Sequence, residues 1–370
     1  MARLKVVHHG GDVHAAAREL NRPLSQIIDF SASINPLGPS PAVWRAITGA
    51  RALLRHYPDP ACWDLRQALS ERWLCDPEQI VVGNGSIELI YALPRALDIN
   101  HLVILQPTFS EYAASIVRAG GRITTVSANR HEQYRLPVDA LCRLLETQSK
   151  GAQVIDGIVL CNPNSPTGQA CMVEDVMKLA RIAQRRGVWL IVDETFADYC
   201  PDRSILPLAS FCSRVVVLRS LTKFYGLPGL RVGYAVTAPK VAQKLRSALP
   251  PWSVNAMGQT AALAALQDTS HASRSFRFMV KERLRFGGLL AAMPGCTVFP
   301  AHANFLFMEL PRGWHAGRIT QQLRRKGLLI RDCSTVPGAS KRLIRIAVRL
   351  GRDNDRLIAA LSRLLSESAT

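Results

Sequence analysis

Long hydrophobic runs are missing from this chain: none of its 370 residues lies in an apolar stretch long enough to span a bilayer. The first residues, Met1-Ala2-Arg3-Leu4-Lys5-Val6-Val7-His8-His9-Gly10-Gly11, lack the apolar core of a signal peptide. Both absences predict a cytoplasmic protein with no membrane partner. Cysteine is present but unorganised. The nine cysteines form no C-x-x-C pair and no Cys/His cluster at zinc spacing, so no metal is expected. An odd number leaves at least one thiol unpaired in any disulfide scheme, which suits a reducing compartment. Aromatic residues are sparse, at 6%, and acidic ones are outnumbered: 28 Asp and Glu against 46 Lys and Arg give a formal net charge of +18. Such basicity can mark a nucleic-acid binder. Here the arginines are spread along the chain, no basic run is interleaved with aromatics, and no helix-turn-helix or RNA-binding signature is present. The expectation is therefore no nucleic acid; the charge reads either as an arginine-rich composition or as a positive field that draws in a phosphorylated, dianionic substrate.

What is present is the composition of a soluble globular protein, 48% hydrophobic and 20% charged. The length suits one large α/β domain with a smaller companion. Short apolar strands (79–82, 102–105, 123–126, 157–161, 188–192, 215–218 and 233–236) alternate with helical segments (42–54, 64–73, 87–97, 111–119 and 173–185). That alternation predicts a mostly parallel sheet covered by helices on both faces. From about Trp252 the texture changes to helices over 256–267, 273–293 and 353–366, with strands at 297–300, 304–309, 328–331 and 342–348. The expected division is residues 1–45 as an N-terminal arm and part of the small domain, 46–250 as the large domain, and 251–370 as the small α+β domain.

Five punctuation points fall just beyond the carboxyl ends of the large-domain strands: Gly85, Phe109, Asn164, Asp193 and Ser220 to Lys223. Open α/β sheets bind ligands at that edge. In Arg219-Ser220-Leu221-Thr222-Lys223, one lysine stands behind two hydroxyls, and Arg231 follows eight residues later among Gly226, Gly229 and Gly233. Hydroxyls and a guanidinium suit a phosphate, and a lysine beside them suits an imine partner, which is how pyridoxal phosphate (PLP) is held. Taken alone, Lys223 reads more readily as a surface lysine in a polar turn; its company elsewhere in the chain overturns that reading. Asp193 ends the all-apolar run Val188 to Val192, and a buried carboxylate needs a cationic partner such as a protonated pyridine nitrogen. A helix cap or structural ion pair is the competing account of Asp193, and Glu194 beside it reads as structural. The turn Gly83-Asn84-Gly85-Ser86 opens a helix whose N–H groups suit the cofactor phosphate. Phe109 is placed to stack on the ring or to serve as a core phenylalanine.

With these residues the chain resembles the fold-type I PLP enzymes, the aspartate-aminotransferase-like superfamily, over essentially its whole length. Within that superfamily it resembles the threonine-phosphate decarboxylases of cobalamin biosynthesis and, next, the histidinol-phosphate aminotransferases. The stretches that carry the likeness are His9-Gly10-Gly11-Asp12, Asp29 to Gly38, Arg219 to Gly229 and Pro251-Trp252-Ser253-Val254-Asn255. The resemblance implies that Lys223 is the Schiff-base lysine and Asp193 the pyridine-nitrogen partner. It implies phosphate binding by Ser220, Thr222 and Arg231 with backbone donors at Gly85 and Ser86. Tyr57 resembles the tyrosine that reaches the cofactor phosphate of a neighbouring subunit, which implies a homodimer with shared sites. Arg345 and Arg331 resemble substrate-anion arginines, and His9 and Ser33 are expected to join them.

Two departures bear on the reaction. The usual N-N-P-T-G reads Asn164-Ser165-Pro166-Thr167-Gly168, leaving either Ser165 or Asn164 to meet the ring hydroxyl. Phe196 stands where aminotransferases often carry a tyrosine, as in the decarboxylases. A PLP enzyme breaks the bond held perpendicular to the ring. If the two arginines hold the substrate's phosphate, its carboxylate is free to take that position. The expected function is decarboxylation of L-threonine O-3-phosphate to (R)-1-amino-2-propanol O-2-phosphate for cobalamin biosynthesis. The alternatives are a histidinol-phosphate or related aminotransferase and, from another class, a DNA-binding regulator built on this fold, which would need the helix-turn-helix that is missing.

Overall fold

The structure, a computed structural model, describes residues 10–147, 154–209 and 211–367. In chain order its strands are β1 (Ile28–Asp29), β2 (Ile80–Asn84), β3 (His101–Gln106), β4 (Arg122–Ser127), β5 (Gly157–Cys161), β6 (Trp189–Asp193), β7 (Val215–Ser220), β8 (Val232–Thr237), β9 (Thr297–Phe299), β10 (Phe305–Glu309), β11 (Leu328–Leu329), β12 (Arg331–Asp332) and β13 (Leu343–Ala347). Seven of them make the central sheet, in the order β2-β8-β7-β6-β5-β3-β4. Pairings from β4 through β7 are parallel, as the alternation with helices predicts. β8 departs from that pattern and runs antiparallel to both β7 and β2. The segment between β7 and β8 has no crossover helix, and only an antiparallel neighbour can be reached by so short a return.

β5, β7 and β8 are buried along their whole length, because both faces of the sheet are covered. On one face Val216 and Leu218 pack with Leu89, Leu93, Tyr112, Ile116 and Leu245, from the helices Ser86–Ala96, Glu111–Arg118 and Pro239–Ser247. On the other, Val215 and Val217 pack with Leu65, Leu69, Leu141, Leu179 and Ile182, from the helices Trp63–Trp73, Val138–Thr147 and Val173–Arg186. The strand period of two thus sends alternate residues into two separate cores.

A second, antiparallel sheet of four strands, β12-β13-β10-β9, carries the later part of the chain. β1 pairs in parallel with β11, Ile28 opposite Leu328, so the N-terminal segment packs on C-terminal elements. That junction continues as Phe30 N donates to Leu329 O (2.7 Å) and Ala347 N donates to Phe30 O (2.8 Å). The helix Val13–Leu20, which the sequence did not announce, buries Ala16 against Ile27 and Leu329. The expected helix over 42–54 is an α-helix Pro41–Gly49 followed by a 3-10 turn Ala50–Arg55. Pro41 and the Ser40 hydroxyl, which accepts from Val43 N (3.4 Å), start it; Gly49, the poorest ordinary helix former, sits where it stops. No helix among the described residues is long and apolar enough to cross a membrane.

Candidate active site

The carboxyl ends of β2, β6 and β7 and the start of β8 converge on one polar pocket. Ser220 and Gly233 are register partners across β7 and β8, and Gly233 packs so closely on the helix Ser86–Ala96 that a Cβ there would lie 2.3 Å from Ser86 N. Gly85, at φ +76°, makes the turn into that helix, and a Cβ on it would lie 2.7 Å from Arg231 Nη2. Arg231 itself adopts φ +57°, a strained backbone for a non-glycine residue, and is pinned by Nη1 donating to Pro228 O (3.0 Å). Ser220 Oγ and Thr222 Oγ1 share a 2.7 Å hydrogen bond, both buried. A helix N-terminus, a guanidinium and two hydroxyls in a cradle too tight for side chains form a site that fits a phosphate.

Lys223 stands half-buried at the mouth of this cradle. Burial, reinforced by the positive charges of Arg345 and Arg231, holds its amine down to about 8; Asp193 and Asp29 pull the other way. Asp193 is buried at the end of β6, where Oδ2 accepts from the Tyr112 hydroxyl (2.7 Å) and Oδ1 from Thr195 N (2.9 Å). Burial raises its pKa, while these donors and Lys223 oppose the rise. It forms no ion pair with an arginine or lysine among the described residues. A desolvated carboxylate so placed fits a cationic ring nitrogen. Phe109 meets Tyr112 edge-on, with ring centroids 5.6 Å apart.

Arg345, on β13, is anchored entirely by neutral groups. Nη1 donates to Ser165 Oγ (2.9 Å), Nη2 donates to Ser31 O (2.7 Å), and the guanidinium lies 5.1 Å over the Phe305 ring. Its Nε is buried without a partner. Burial and the charge of Arg331 lower its pKa to about 10. Arg331 is its register partner on β12, so two like charges face each other across a strand pair. Such a pair is destabilising unless an anion joins it. Ser33, two residues beyond Ser31, is buried, and its hydroxyl likewise lacks a partner.

Asn164 is fully engaged in holding the loop. Its amide donates to Pro107 O and Thr167 Oγ1 (both 2.9 Å), and its oxygen accepts from Thr108 Oγ1 (2.7 Å). Of the two residues left open by the sequence, Ser165 therefore has the free proton: its oxygen accepts from Arg345, and its O–H remains to donate. Phe196 offers only carbon and packs edge-on to Phe305 at 5.0 Å. Tyr57 is not brought to this pocket; it is 79% exposed and stacks on Trp252 at 4.9 Å. His9 lies outside the described residues. Sequence reasoning missed Tyr112, in the first turn of the helix that follows Phe109, and also Phe305 and the Asp29–Ser31 loop as parts of the site. No cluster of His, Cys, Asp or Glu suited to a metal occurs among the described residues.

The chain belongs to the class I and II aminotransferase family, which residues 25–364 match and whose members are PLP enzymes. It is 34% identical over 360 residues to the threonine-phosphate decarboxylase of Salmonella typhimurium strain LT2, covering 97% of this chain and 96% of that one. It is also 34% identical over 358 residues to the histidinol-phosphate aminotransferase of Roseiflexus castenholzii, covering 94% and 92%. Among solved structures, the histidinol-phosphate aminotransferase of Sinorhizobium meliloti in complex with pyridoxal-5'-phosphate superposes with a TM-score of 0.86 at 25% identity, covering 99% of this chain and 98% of that one.

Proposed function

We propose that this chain is a PLP-dependent decarboxylase that converts L-threonine O-phosphate to (R)-1-amino-2-propanol O-2-phosphate and CO2. The observation that carries the reading is Arg345, near enough to Lys223 to depress its amine, hydrogen-bonded only to neutral acceptors and opposed in register by a second arginine, Arg331. A dianionic phosphate supplies the missing countercharge, and the planar guanidinium can grip it with two parallel bonds. With both arginines on the phosphate, the substrate carboxylate is left without a guanidinium clamp.

When bound, PLP supplies an electron-accepting ring that stabilises the charge left at Cα as a bond to it breaks. Lys223 would hold the cofactor, and its Nζ, with a pKa near 8, can deliver a proton to Cα near neutral pH. Asp193 would keep the ring nitrogen protonated, oriented by Tyr112 and Thr195. Gly85, Ser86, Ser220, Thr222 and Arg231 would bind its phosphate; Ser165 would donate to its ring oxygen, and Phe109 would cover its face. Ser33 and His9 would complete the substrate site.

The working unit is a homodimer in the cytoplasm, in which Tyr57 reaches the neighbouring subunit's cofactor; its exposure on a face with Trp252 supports this. The domain division is 1–45, 46–250 and 251–370, supported by the separate seven-stranded and four-stranded sheets and by the pairing of β1 with β11. Histidinol-phosphate transamination is the second reading, favoured by the equal identity to the Roseiflexus relative. Incubation with threonine O-phosphate and PLP should release CO2, whereas histidinol phosphate with 2-oxoglutarate should yield no glutamate. Glutamate without CO2 would move the chain to the aminotransferases and Arg345 to the substrate carboxylate.

A further inference from the structure

Back to back with the site, on the opposite face of the sheet, lies a buried ion cluster. Asp193 and Ser220 face the helices Ser86–Ala96 and Glu111–Arg118; their chain neighbours Glu194 and Arg219 point into the other core, as strand alternation requires. Glu194 is fully buried and Arg219 is 2% exposed. Arg219 Nη1 lies 3.5 Å from Glu194 Oε2 and donates to the Glu194 carbonyl at 3.4 Å, while Nη2 lies 3.6 Å from Asp198 Oδ1. The guanidinium sits 4.8 Å over the Trp73 ring, and Trp73 Nε1 donates to the hydroxyl of Tyr234, the register partner of Arg219 on β8. The Glu194 carboxylate also accepts from Ser204 Oγ (2.5 Å) and Ile205 N (2.7 Å).

A buried ion pair is a weak source of stability, since desolvation offsets most of the Coulomb gain. What this one does is geometric. One side chain grips the backbone and the carboxylate of the residue after Asp193, and its own backbone precedes Ser220. The ends of β6 and β7 are thereby fixed to each other one residue from each side of the site, where the ladder pairing of these strands ends at Asp193 and Leu218. We infer that Arg219 and Glu194 are positioning residues that set the distance between the ring-nitrogen carboxylate at Asp193 and the phosphate and lysine segment at Ser220 to Lys223, without touching cofactor or substrate. The inference rests on the PLP reading of those two segments.

The test uses the full chain and the variants R219M, R219K, E194Q and R219M/E194Q. Three quantities are read: PLP affinity of the cofactor-free protein by fluorescence titration, the pH midpoint of the bound cofactor's visible band, and the melting temperature of the cofactor-free protein. R219M should weaken PLP binding by roughly tenfold or more and displace the pH midpoint. R219K should not restore either, because an ammonium cannot span both acceptors. The double variant removes both buried charges, so its melting temperature should recover toward the parent, while affinity and pH midpoint stay displaced. If R219M does not fold, the near-isosteric E194Q and the double variant carry the comparison. Recovery of all three quantities in the double variant, or parent-like affinity and midpoint in R219M, would reduce the cluster to a structural ion pair and overturn the inference. No PLP binding by the unaltered protein would overturn the functional reading and this inference with it.

Discussion

At Lys223 the fold lowers an amine from its ordinary 10.5 to about 8, mainly by burial and then by the charges of Arg345 and Arg231. Between these two values the unfolded chain binds the proton and the folded chain does not. Stability contributed by this residue therefore increases as pH rises from about 8 toward 10.5 and is absent below that window. The reactive form of the amine is the neutral one, so recombination of PLP with the cofactor-free protein should speed up with a midpoint near pH 8; stopped-flow absorbance checks this, and a midpoint near 10.5 would contradict the assigned environment. Lys223→Ala should abolish turnover and the visible internal-aldimine absorbance at every pH. A second residue-scale prediction concerns Gly10. A Cβ there would lie 2.1 Å from Ser31 O, the oxygen that orients Arg345 Nη2. Gly10→Ala should displace that carbonyl and raise KM for threonine O-phosphate by roughly tenfold, about 1.4 kcal/mol, with little change in kcat. A fall in kcat at constant KM would place Arg345 in the chemistry rather than in binding.

Elements were legible where one local signal governed them. β5 and the helix Ala256–Gln267 coincide with their expected bounds, the first because a short apolar run between turns is buried on both faces, the second because Asn255 caps it by accepting from Gly258 N (2.7 Å). The edge where the site gathers was legible for the same reason: Gly85, Asn164, Asp193 and the segment Ser220 to Lys223 each follow an apolar run within a few residues. What stayed hidden depends on distant partners. The two residues of β1 are a strand only because β11, 300 residues away, pairs with them, and Arg345 is oriented by Ser31 and Ser165, which no spacing rule connects. The antiparallel direction of β8 was hidden as well, since apolar content does not encode strand direction. Gly233 on β8 shows how much this matters, because its missing side chain admits the helix at Ser86. Gly233→Ala would set carbon against backbone nitrogen, which no rotamer relieves, so it should cost about 1–3 kcal/mol of stability and expel PLP. Denaturant melting and cofactor absorbance read the two effects separately, and retained PLP would show that the phosphate does not lie at this junction.

The whole molecule sets two forces against each other. A formal charge of +18 on each chain opposes association of two copies. In the proposed homodimer, the face that carries Tyr57 would oppose that repulsion. Trp44, Leu54, Tyr57, Trp63 and Trp252 are all exposed large apolar residues, borne on or beside the helices Pro41–Gly49 and Trp63–Trp73 and the 3-10 turn Ala50–Arg55, which pack around the helix Ala256–Gln267. Exposed apolar side chains of this kind suit an interface, and in the homodimer proposed above a second copy would cover them while delivering Tyr57 to the neighbouring site. Salt screens the repulsion, with a Debye length near 10 Å at 0.1 M and about 30 Å at 0.01 M, and leaves apolar burial nearly untouched. The dimer should therefore tighten as NaCl rises from about 10 mM to about 300 mM, opposite to an interface built on ion pairs. Trp63→Asp, placing a charge inside that face, should weaken association by roughly a hundredfold, about 2.7 kcal/mol, and release PLP as Tyr57 withdraws. Sedimentation velocity across the salt range decides the matter: a monomer with full activity at every salt concentration would remove Tyr57 from the site, and a dimer that loosens with salt would assign its interface to charge.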